Sequence, residues 1–174
     1  GEAEIFIAID LQGADRYSNE TIDTLYNFSA TITERHDVSS VASIYYPTPD
    51  MNATTLKTIY SLPQDQHPVA IQELANATST ENVIIIRIVY LPEPGSPEAH
   101  TLVKEIRLME DDIPFQGKVG GWAAISVDII DEVYDKTPIA VTYILLCTGI
   151  LVFIQVRSVL IPLKAMVMNI LSLT

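Results

Sequence analysis

Hydrophobic positions along this chain follow three rhythms: short continuous strand-like runs, helical spacings, and one long stretch with no charge. Ile5 to Leu11 (IFIAIDL) is an apolar, β-prone run closed by Gly13 and Asp15, which predicts a buried strand and a turn. Behind Ser18, a candidate cap, Ile22, Leu25, Tyr26 and Ile32 recur at helical spacing and predict an amphipathic helix from Asn19 to about Arg35. Val38 to Tyr46 (VSSVASIYY) reads as a second strand ended by Pro47 and Pro49, and Asn82 to Leu91 (NVIIIRIVYL) as a third ended by Pro92, Pro94 and Gly95. Ser96-Pro97-Glu98 opens another helix: a hydroxyl caps free amides, a proline sits where its missing N–H costs nothing, and an acid faces the positive helix end. Its apolar face is Ala99, Leu102, Val103 and Ile106. Gly117 to Gly121 (GKVGG) supplies a short fourth strand and a sharp turn. A helical pattern then runs from Trp122 to Pro138, and Pro138 to Val156 carries no charged side chain at all.

Strand, helix, strand, strand, helix, strand is a split β-α-β unit used twice. It predicts an α+β, ferredoxin-like βαββαβ domain, a four-stranded antiparallel sheet with two helices on one face. Residues 1–121 form this head, with a polar insertion over 48–79 that is interrupted by Pro63 and Pro68 and holds short helical patterns at Ala53 to Tyr60 and Val69 to Ala77. Residues 122–137 form a juxtamembrane amphipathic helix. Residues 138–156 approach the roughly 20 apolar residues that a transmembrane helix requires. Residues 157–164 read as a cytoplasmic turn and 165–174 as the start of another span. The chain of 174 residues begins with Gly1, and Gly1 to Glu4 has no basic region of a secretory signal, so it reads as an internal fragment preceded by a membrane segment.

The net charge of −12 argues against a nucleic-acid partner, which requires an excess of Lys and Arg on the binding face. Arg157 and Lys164 follow the span without an intervening acid, which makes this turn cytoplasmic and the head extracytoplasmic. Four of the six asparagines, Asn19, Asn27, Asn52 and Asn76, begin N-x-S/T triplets, candidate glycosylation sites. Ser and Thr content predicts about one such triplet by chance. Asp128, Asp131, Glu132 and Asp135 form a carboxylate stripe opposite Ile125, Ile129 and Val133. It is either the solvated face of an amphipathic helix or a cation- or proton-collecting site. Cys147, the single cysteine, falls in the apolar run and reads as a packed thiol. His36, His67 and His100 lack the spacing of a metal site and are expected on the surface. No catalytic constellation or phosphate loop emerges, so neither an enzyme nor a cofactor is expected, and the span holds no acid that could relay protons.

From Asn82 onward the chain resembles the MMPL family of the RND transporter superfamily. The likeness is carried by NVIIIRIVYL, SPEAHTLVKEIR, VGGWAAISVD and VRSVLIPLKAMVMNILSL, that is, by Gly120, Gly121 and Asp128 and then by Arg157, Ser158, Pro162, Lys164, Asn169 and Ser172. Trp122 is bulkier than that pattern expects. The resemblance implies a second porter domain and the helix that follows it, in a multi-pass plasma-membrane exporter. Such a protein moves lipids or other hydrophobic molecules on the proton gradient, with its Asp-Tyr proton relay in other spans. Association of identical copies stays open. Competing classes are a Patched-like or sterol-sensing receptor of the same architecture, or a protein-export subunit.

Overall fold

The computed structural model describes residues 3–80, 82–156, 164 and 167–168. Strand β1 (Ala3–Asp10) points Ile5, Ile7 and Ile9 to one face, each fully buried, and Phe6, Ala8 and Asp10 to the other. It lies between β3 (Val83–Tyr90) and β4 (Gln116–Gly120), with Ile7 opposite both Ile86 and Val119. Strand β2 (Val38–Ala42) pairs with the far side of β3, giving the order β2-β3-β1-β4 with every pairing antiparallel. Ile84, Ile86 and Ile88 of β3 join the isoleucines of β1 on the inner face. Each such side chain contributes about 2–3 kcal/mol by leaving water.

Two helices cover that face. Helix α1 (Asn19–Thr33) starts where the Ser18 hydroxyl accepts a bond from the Thr21 amide at 3.1 Å, and it buries Ile22, Leu25, Phe28 and Ile32. Helix α2 (Ala53–Tyr60) and helix α3 (Val69–Thr78) belong to the insertion. Helix α4 (Pro97–Asp111) starts on Ser96, which accepts from the Ala99 amide at 3.2 Å, and it buries Ala99, Leu102, Val103 and Ile106. The expected βαββαβ architecture is the observed one.

Three local differences have physical causes. The second strand stops at Ala42 rather than Tyr46, because Ser43 and Tyr46 exchange two backbone hydrogen bonds and the Ser43 hydroxyl accepts from the Tyr45 amide. That turn sends Ile44, Tyr45 and Tyr46 into the core. The fourth strand begins one residue earlier than expected, at Gln116, and ends at Gly120, where Gly121 at φ +107° makes the expected turn out of the sheet. The insertion is less peripheral than its composition implies. Leu56, Tyr60 and Ile71 are buried, and Lys57 pairs with Asp23 at 2.6 Å, tying α2 to α1.

Tyr45 donates to the Arg16 carbonyl at 3.0 Å and Tyr60 to the Ile44 carbonyl at 2.5 Å, while the Tyr60 ring meets Tyr17 and His67. Burial pushes both phenols well above the usual tyrosine range. The Arg16 guanidinium lies over the Tyr17 ring, 5.4 Å from its centre.

Helix α5 (Trp122–Val156) is 35 residues long, about 50 Å at 1.5 Å per residue. The chain divides into two compact units, Gly1–Val127 and Asp128–Thr174. The first turns of α5 belong to the head, where Ala123, Ala124 and Val127 are buried in its core. Trp122–Gln155 is long and apolar enough to cross a membrane, and its most apolar stretch is not buried by the rest of the chain. Pro138 lies inside the helix without ending it. Lacking an N–H, it leaves the Tyr134 carbonyl without its intrahelical donor. Thr137 donates to the Val133 carbonyl and Thr142 to the Pro138 carbonyl, at 2.6 and 2.8 Å.

Candidate functional site

The motif residues Gly120 and Gly121 sit at the exit of β4, and their requirements differ. A Cβ on Gly121 would lie 2.7 Å from the Glu4 carbonyl oxygen, at a φ that L-residues rarely adopt. A Cβ on Gly120 would meet only the Phe6 carbonyl oxygen at 3.8 Å, an ordinary contact. Gly121 therefore sets the close passage of the chain from β4 into α5. Trp122 follows at 65% exposure, so its bulk is accommodated by pointing outward.

The acidic positions Asp128, Asp131, Glu132 and Asp135 are all helical. Glu132 pairs with Lys136 one turn later, and Asp128 and Asp131 each have an interaction partner. Among the described residues no group of three or more His, Cys, Asp or Glu side chains is placed to hold a metal ion. Ile125, Ile129 and Val133, expected as the apolar face, are each at least half exposed. Further along, Pro138, Ile139, Thr142, Tyr143 and Leu146 line a groove of about 400 Å³ on the surface of the span.

The four candidate asparagines are exposed: Asn19 and Asn27 on α1, Asn52 as the cap of α2, and Asn76 on α3. Lys164 is helical and exposed, whereas Arg157, Ser158, Pro162, Asn169 and Ser172 lie outside the described residues.

The histidines correct the expectation of surface positions. His36 is exposed, but His67 is only 7% exposed, with Nε2 3.0 Å from the Leu62 carbonyl, and the His100 Nε2 is buried. His67 is held by aromatic packing on Tyr17 and Tyr60, which sequence spacing cannot show.

Two head features had no sequence signal. Arg35 binds Asp37 through two bonds of 2.9 and 2.8 Å and reaches Glu105 of α4 at 2.6 Å. The guanidinium holds the Asp37 carboxyl below its usual range, and Asp37 in turn raises Arg35. This clamp joins the end of α1, the start of β2 and the middle of α4. At the β4 edge, a concavity of about 600 Å³ is lined by Asp10, Glu110, Asp111, Phe115, Gln116 and Lys118. Glu110 accepts from the Gly117 amide there at 2.6 Å, so one of its carboxylates already serves the fold.

No family model matches the chain. Over 88 residues the sequence is 27% identical to the trehalose monomycolate exporter MmpL3 of Mycolicibacterium smegmatis. The match covers 51% of this chain and 9% of that protein. It is distant and partial, and it supports a relationship to the MMPL and RND transporters in general.

Proposed function

We propose that this chain is a porter-type head and coupling helix of an RND/MMPL-type exporter that moves lipids or other hydrophobic molecules using the proton-motive force. The observation that carries the reading is the single helix α5, whose first turns are buried in the head core at Ala123, Ala124 and Val127 and whose later turns are uncharged over Pro138 to Val156. A helix seated in a packed core cannot shift without moving the groups it packs against. One that also crosses a bilayer can carry displacement between the two. The span lacks a proton-carrying acid, so in this reading the relay lies in other spans and α5 transmits rather than drives. The uncharged stretch Pro138 to Val156 of α5 and the similarity to an exporter support a membrane transporter. Arg157 and Lys164 support an extracytoplasmic head and a multi-pass course in the plasma membrane. The activity is transport rather than catalysis, without a cofactor or nucleic acid, and copies of the protein can associate.

The test is made on the full-length protein in proteoliposomes, following movement of a fluorescent phospholipid under an imposed proton gradient. Two glycines inserted between Thr137 and Pro138 are expected to reduce gradient-dependent movement at least tenfold with normal expression. Undiminished movement overturns rigid coupling, and absence of gradient dependence in the unaltered protein overturns the transporter reading.

A further inference from the structure

The four N-x-S/T triplets are alike in sequence but not once folded. Residues two apart on a helix project about 200° apart, so an asparagine and the hydroxyl two positions later face nearly opposite ways. Three triplets show this. Asn19 is exposed while Thr21 is buried and donates to the Asp15 carbonyl at 3.0 Å. Asn27 is exposed while Ser29 is fully buried. Asn76 is exposed while the Thr78 hydroxyl donates back to the Leu74 carbonyl at 2.7 Å. An enzyme that must engage amide and hydroxyl together cannot read these triplets in the folded head.

Asn52 is different. As the cap of α2 it has extended backbone, φ −90° and ψ 164°. Its Oδ1 accepts from the Thr55 amide at 2.8 Å and the Thr55 hydroxyl at 3.0 Å, and Nδ2 has no hydrogen-bond partner among the described residues. The triplet's own hydroxyl residue, Thr54, is exposed, and its Oγ1 has no partner among the described residues either. The oxygen of the carboxamide serves the fold, and the nitrogen and the neighbouring hydroxyl stay available.

We propose that Asn52 is the N-glycosylation acceptor of the folded head. The substrate is a saccharide carried on a lipid diphosphate. A bond forms between Asn52 Nδ2 and the anomeric carbon of the sugar, the bond from that carbon to the phosphate oxygen breaks, the lipid diphosphate leaves with the electron pair, and Nδ2 gives up one proton to a base of the transferase. Oδ1 keeps its bonds, so α2 remains capped after modification. This rests on the extracytoplasmic placement proposed above.

The full protein is purified from its native membrane and its peptides are mapped by mass. The Asn52 peptide is expected to carry the saccharide, with Asn19, Asn27 and Asn76 bare. Asn52→Asp, which preserves the capping oxygen, and Thr54→Val are each expected to abolish the added mass without altering the circular dichroism, and Thr54→Ser to keep it. A bare Asn52, or equal modification at Asn27, overturns the proposal. Topology is read separately from labelling of Asp65→Cys by a membrane-impermeant maleimide on intact cells, in a full protein whose Cys147 and every other cysteine are replaced by Ala. Labelling from outside with a bare Asn52 overturns the acceptor site alone, and labelling only after lysis overturns the orientation as well.

Discussion

The isoleucines of the sheet and those of the span belong to one residue type in two solvents. Ile7, Ile86 and Ile88 are fully buried by the chain's own helices, while Ile139, Ile144 and Ile150 are between 58% and 71% exposed. In the head, buried isoleucines alternate along β1 with the less buried Glu4, Phe6, Ala8 and Asp10, so one face packs under α1 and α4 and the other does not. In the span no face is polar, so a medium or partner beyond the described residues must cover it. The head's folding energy is contained in its own packing. That of the span depends on what covers it, a bilayer in the function proposed above.

The sharpest way to break this contrast is to truncate one side chain in each region and follow urea unfolding of the micelle-solubilised protein by circular dichroism. Ile86→Ala is expected to cost about 3–4 kcal/mol through lost transfer and a residual cavity, and Leu146→Ala less than about 1 kcal/mol. Equal losses would mean that the span is packed against protein. The junction comes next. Gly121→Ala combines a forbidden φ with a clash against β1 and is expected to cost about 2–4 kcal/mol, with Gly120→Ala below about 1 kcal/mol, in the same assay.

Smaller effects test whether the head's polar contacts hold its core together. Tyr60→Phe leaves the Ile44 carbonyl unpaired, an expected loss of about 1–2 kcal/mol at neutral pH. The folded-state pKa of Tyr60 is raised, so its contribution is full below about pH 10 and lost as pH rises further. The variant should accordingly lose less stability than the parent under alkali. Asp37 has the opposite sign. Its depressed pKa contributes stability above about pH 4 that disappears as pH falls through the folded value, so Asp37→Asn should flatten the acid limb of a stability profile. An unchanged acid limb would show that Arg35 does not depend on this partner.

Local chemistry was legible in the sequence wherever it was sufficient. Ser18 and Ser96 cap helices as their positions predict, and Ala99, Leu102, Val103 and Ile106 are all in the core because helical spacing leaves them no other common face. Gly121 could be read as a turn, but its need for glycine depends on the Glu4 carbonyl, which is more than a hundred residues away in the chain and close only after folding. The Ser43 turn was hidden inside a run of β-prone residues. His67 and Tyr60 were hidden in a polar insertion whose few apolar anchors carry its packing. The Arg35 clamp draws on three elements and has no spacing to betray it. The four asparagine triplets were identical to the eye, because what separates them is backbone conformation. The carboxylate stripe was legible as a pattern, and the i,i+4 spacing of Glu132 and Lys136 also carries its local counter-charge in the sequence.

Trp122 is the chain's single tryptophan, and it stands outward at the first residue of α5. Its indole is therefore a built-in optical reporter at the junction. Solvent-exposed, it emits toward the red. Anything that settles on this turn, whether another domain, a second copy or a lipid, would shift that emission to the blue and shield it from an aqueous quencher. Within these 174 residues the junction can thus be watched without a label, from the position where the sheet ends and the longest described helix begins.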